Sequence, residues 1–73
     1  MNNYTYLKRI KDLREDADFT QGYVASYLGT SQTMYARYER GANELPIRHL
    51  LRLCALYSVS ADYLLGLSDT KKS

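Results

Sequence analysis

The chain is poor in several kinds of residue, and each scarcity excludes something. It has one cysteine, one proline and one histidine. A lone Cys54 has no partner for an intrachain disulfide, and nothing about it points to an oxidising compartment; it reads as a small core residue on the inner side of a helix. His49 stands without Cys, Asp or Glu at ligand spacing, which leaves no metal set, and it is expected at the surface. No apolar run suggests a membrane span or a signal peptide, so the chain is expected to stay in the cytoplasm. There is no grouping of nucleophile, base and orienting residue and no phosphate loop, so neither enzymatic activity nor a cofactor is expected. Strand-like alternation and internal repeats are absent too.

What is present is a globular composition, with 45% apolar and 25% charged residues, only Pro46 and four glycines, which is not the balance of a disordered tail. Ten Lys and Arg against eight Asp and Glu give a net charge of +2. That excess is too small to identify a polyanionic partner by itself. At 73 residues only one core can be supported. The expectation is a single domain over 1–73, with a core from about residue 4 to 66 and a flexible, basic tail over 67–73.

Periodicity predicts an all-α chain of five helices. Tyr6, Leu7, Ile10, Leu13 and Ala17 recur at three- and four-residue steps, giving an amphipathic first helix from Tyr4 to Asp16. Thr20 can cap a second, from Gln21 to Leu28, with Phe19 packing back on Val24. Gly29, Thr30 and Ser31 interrupt the pattern, and Ser31 can cap a third helix running from about Gln32 to Arg40 and stopping at Gly41. Pro46 opens a fourth, with Ile47, Leu50, Leu53, Cys54 and Tyr57 inward. Ser60 caps a last short helix, Ala61 to Leu65, and Gly66 ends it.

Two short helices joined by a turn of three or four residues that contains glycine form a unit that can lay one helix across a DNA backbone and the other in the major groove. Ala25 is small where the third helix crosses the second. Val24, Leu28, Tyr35 and Tyr38 fall on inner faces, which turns Ser31, Gln32, Thr33 and Arg37 outward. At this point the chain resembles the Cro and lambda-repressor-like (XRE) helix-turn-helix family. The likeness runs through TQGYVASYLGTSQTMYARYERG (Thr20 to Gly41) and LPIRHLLRLCALYSVSADYLLG (Leu45 to Gly66). Gln21, Ala25 and Gly29 followed by Glu39, Arg40 and Gly41 at this spacing are its specific part.

The resemblance implies a five-helix bundle that binds operator DNA, usually as a two-fold dimer, and regulates transcription. By position, Gln32, Thr33 and Arg37 resemble the base-reading set, with Gln21 and Ser31 where phosphate is contacted. The chemistry agrees, since Gln can pair with adenine, Arg with guanine, and the Thr methyl with thymine. Arg40, Asn43 and Arg48, in the loop and at the start of the fourth helix, are expected to add phosphate contacts. Arg14 and Glu39 resemble an internal ion pair that fastens the first helix to the third. Thr30 and Tyr35 stand where aliphatic residues are usual, and Gly22 replaces a charged residue. Tyr35 needs an outlet for its hydroxyl, and Gly22 weakens its helix by about 1 kcal/mol unless a close approach explains it.

Leu51, Leu56, Tyr63, Leu65 and Leu67 exceed what one inner face of the last two helices can hide, and a homodimer contact is expected there. The other reading is a protein-interaction module of the same fold, of the antitoxin or antirepressor-binding type.

Overall fold

The computed structural model describes residues 3–71, with side chains from Thr5 onward. Among these residues are five helices and no strand: α1 (Asn3–Asp16), α2 (Gln21–Leu28), α3 (Gln32–Glu39), α4 (Ile47–Tyr57) and α5 (Ala61–Leu64). Three of the five starts are set by hydroxyl caps. Thr20 Oγ1 accepts from the Tyr23 amide, Ser31 Oγ from that of Met34, and Ser60 Oγ from that of Tyr63, at 3.0, 3.1 and 3.0 Å. Each bond satisfies an amide that a helix start leaves without a carbonyl.

Gly29 takes the left-handed backbone (φ 78°), and Thr30 N–H reaches back to the Ala25 carbonyl at 2.9 Å. That combination closes α2 within one residue and lets α3 begin at once. Pro46 sits just before α4 and offers no side-chain cap.

Ile10 and Leu13 of α1, Val24, Ala25 and Leu28 of α2, Tyr35 and Tyr38 of α3, Leu53 of α4, Val59 and Leu64 form the buried core. Burying this set is what holds such short helices, which would be marginal alone. The mutual burial of α2 and α3 therefore sets how α3 is presented.

The face of α4 differs from the expectation. Ile47 is 73% exposed and His49 only 4%, so Ile47 is not an inward residue and His49 is not a surface one. The helix is rotated so that His49 and Leu53, one turn apart, face inward, and the His49 ring meets Tyr38 edge-on at 5.7 Å. Ile47, Arg48, Leu51, Arg52 and Ala55 consequently form its outer face. Cys54 is half-buried against the core, and burial pushes its thiol pKa up, away from reactive thiolate chemistry.

The five residues expected at a subunit contact also divide. Leu56 and Tyr63 pack partly buried against the core, because α5 is a single turn pressed onto α1, with the Arg9 guanidinium 4.1 Å over the Tyr63 ring. Leu65 is half-buried, while Leu51 and Leu67 stay 59% and 64% exposed.

Past α5 the chain returns to α1. Arg9 donates to the carbonyls of Tyr63 and Ser68 and to the Asp69 carboxylate, and Ser60 N–H donates to the Lys71 carbonyl. Positions 72–73 of the expected tail lie outside the described residues. No helix among the described residues is long and apolar enough to cross a membrane.

Candidate nucleic-acid interface

The α3 side chains divide cleanly by depth. Tyr35, Tyr38 and Glu39 point inward and are buried, which leaves Gln32 and Thr33, together with the cap residue Ser31, exposed. Arg37, one turn after Thr33, is half-buried.

Its position is fixed by the loop that follows. Gly41 takes a left-handed turn (φ 80°), and the next two amides, of Ala42 and Asn43, both donate to the Arg37 carbonyl, at 2.9 and 3.3 Å. The loop thus folds over the end of α3, and Asn43 Oδ1 accepts from Arg37 Nε at 2.7 Å. Asn43, expected at a phosphate, has its acceptor turned to Arg37.

Gln32 is placed by an absence. A Cβ at Gly22 would lie 3.3 Å from Gln32 Oε1 and 3.8 Å from Gln32 Cδ. The Gln32 amide therefore lies close over Gly22, and a methyl there would displace it by a few tenths of an ångström.

Beneath α3 lies a charged anchor. Arg14 grips Glu39 through Nε and Nη2, at 2.7 and 3.0 Å, and sends Nη1 to the Phe19 carbonyl at 3.0 Å. Gln21 Nε2 donates to the same carboxylate at 3.2 Å, so its amide is engaged inside the protein. Burial alone would raise the Glu39 carboxyl pKa, but the bond from Arg14, the nearby Tyr35 hydroxyl and the bond from Gln21 outweigh it and hold the group below the usual carboxylate range. Tyr35 and Tyr57 have buried hydroxyls with no hydrogen-bonding protein partner of normal geometry. Burial raises both pKa values, that of Tyr57 to about 12, so the rings stay neutral.

One side of this anchor opens as a cleft lined by Lys11, Arg14, Gln21, Ala36, Glu39 and Arg40. Lys11 was not singled out by the sequence reading. Its signal was the three-residue step to Arg14, which puts both on one face of α1. Arg40 is exposed at the end of α3. Arg48 is exposed in the first turn of α4, whose leading amides have no side-chain cap. Such amides, with a cation beside them, suit an anion.

A capped helix, a glycine turn and a second capped helix with an outward polar face define a helix-turn-helix protein. The chain matches the model of the helix-turn-helix family over residues 10–64, and it belongs to that family, of the Cro and lambda-repressor-like type. Among its relatives in Bacillus subtilis (strain 168), it is 36% identical to the uncharacterized HTH-type transcriptional regulator YobD, over 88% of this chain and 57% of that protein. With the HTH-type transcriptional regulator ImmR the identity is 38%, over 89% of this chain and 51% of the relative. With AnsR, also an HTH-type transcriptional regulator, it is 31%, over 92% and 58%. The chain spans just over half the length of these relatives.

Proposed function

We propose that the chain is a sequence-specific DNA-binding transcriptional regulator of the cytoplasm. In this reading it is a repressor that occupies operator DNA as a homodimer with α3 in the major groove. The observation that carries the reading is the outward face of α3, where Gln32, Thr33 and Arg37 are the polar groups that base edges pair with, on a helix whose opposite face is locked into the core. Gln32 would address adenine, Arg37 guanine and the Thr33 methyl thymine. Ser31, Arg40 and Arg48 would meet phosphate, together with the uncapped start of α4. Gln21, whose side chain is engaged with Glu39, would approach phosphate with its backbone amide instead. Repression would follow from occupancy, since a dimer on a promoter blocks polymerase.

The relatives' names, all HTH-type transcriptional regulators, support the same reading. Exposed Ile47, Leu51 and Leu67 support a second copy as partner, through α4 and the chain after α5.

Gln32→Ala and Arg37→Ala, each checked for an unchanged thermal melt, test the reading by titration against preferred and scrambled duplexes. Each is expected to lose about 1–3 kcal/mol on the preferred site and little on the scrambled one. Equal affinity of wild type and both variants for the two duplexes would transfer the fold to a protein-binding role.

A further inference from the structure

We propose that Asn43 is a positioning residue for base reading: it holds the Arg37 guanidinium so that its two terminal nitrogens face outward as a preset fork. This rests on the DNA-reading function of α3 proposed above, and it assigns Asn43 a task different from phosphate contact.

The geometry is specific. Arg37 Nε–H is taken by Asn43 Oδ1 at 2.7 Å, and among the described residues the Arg37 terminal nitrogens make no hydrogen bond or ion pair. A guanidinium is planar and carries five N–H donors. Bonding it at Nε fixes the plane and leaves the Nη1–Nη2 edge, which matches the O6 and N7 acceptors of guanine. A free arginine loses its rotamer freedom on docking; one already held loses less, and the difference appears as affinity for the right base.

The brace is itself held. The Ala42 and Asn43 amides both close on the Arg37 carbonyl, so loop and side chain are tied at two points to the same residue. Asn43 is half-buried, and its short side chain has few rotamers with which to leave.

The DNA-independent readout is hydrogen exchange at the arginine Nε–H groups, followed by NMR on the full chain. Arg14, whose Nε is bonded to Glu39, provides a slow reference, and exposed Arg40 and Arg48 provide fast ones. The Arg37 signal is expected to exchange slowly in the wild type and fast in Asn43→Ala. An Arg37 signal as fast as those of Arg40 and Arg48 in the wild type overturns the proposal whatever the DNA does.

The second readout is binding to a duplex selected by the wild type and to versions of it altered one base pair at a time. Asn43→Ala is expected to flatten preference about tenfold at the single base pair that Arg37→Ala also flattens, and the double variant to lose no more there than Arg37→Ala alone. Asn43→Asp keeps the acceptor, so it is expected to retain that preference while binding every duplex more weakly through repulsion of phosphate. Uniform weakening by Asn43→Ala, additive with Arg37→Ala, would make Asn43 a phosphate contact and overturn the positioning role. If the folded wild type selects no sequence at all, the DNA-reading function fails, and the positioning role falls with it even where the Arg37 signal is slow.

Discussion

Gly22 shows how a missing methyl can matter more than the residues around it. It costs α2 about 1 kcal/mol of helix propensity, yet it makes the seat on which the Gln32 amide rests. Gly22→Ala should therefore raise the melting temperature by several degrees, because exposed Gln32 can swing aside. The same variant should weaken binding to a selected site, and differential scanning fluorimetry beside a DNA titration would separate the two effects. A variant both more stable and equally tight would show that the resting place on Gly22 plays no part in how Gln32 reads its base. The Arg14–Glu39 pair behaves in the opposite sense. Both side chains are largely buried, at 13% and 5% exposure, so Arg14→Met leaves a carboxylate without its partner and should cost about 3 kcal/mol, whereas a joint apolar replacement should cost much less. Chemical denaturation of the three proteins checks this. The sequence could suggest this pair through the family resemblance, but not the Arg37–Asn43 bond, since the partner of a polar loop residue depends on the path of the loop.

At the scale of elements, α2 and α3 were the most legible. Thr20, Gly29 and Ser31 punctuate the chain with a cap, a left-handed closure and a second cap, and the limits of α2 read from them agree with the structure. The orientation of α4 was not legible. Its apolar residues surround most of the helix, so periodicity alone did not decide whether Ile47 or His49 turns inward. Packing decided it, because His49 has the Tyr38 ring to meet. This burial makes a prediction about pH. Desolvation, helped by Arg48 and Arg52, lowers the His49 pKa below its ordinary value of 6.5. The unfolded chain therefore takes up a proton first, and the folded state should lose stability as pH falls below about 6.5. Glu39 is also depressed, from 4.5, so its loss belongs to a separate window, below about 4.5. Urea titrations between pH 7.5 and 5 should show declining stability in the wild type and a nearly flat profile in His49→Gln. An equal slope in both would assign the effect to another group.

At the scale of the whole molecule, the net charge of +2 gave little indication of a nucleic-acid partner. The cations are distributed between structural and exposed positions. Arg9 and Arg14 are used inside the fold, Arg52 donates to the Tyr27 carbonyl, and Lys11, Arg40 and Arg48 stay exposed. If Arg40 and Arg48 meet phosphate, affinity should fall steeply between 50 and 200 mM salt, and Arg48→Ala should reduce the salt slope by about one per protomer. The proposed homodimer predicts that Leu51→Lys with Leu67→Lys gives a monomer by sedimentation equilibrium, with α3 and its single-site preference intact. Selection of binding sites from a random duplex pool by the purified protein near physiological salt puts base reading by paired copies of α3 to the test. A two-fold-symmetric sequence, with half-sites about one helical turn apart, is the predicted result. Retention of no preferred sequence by the folded protein would contradict it.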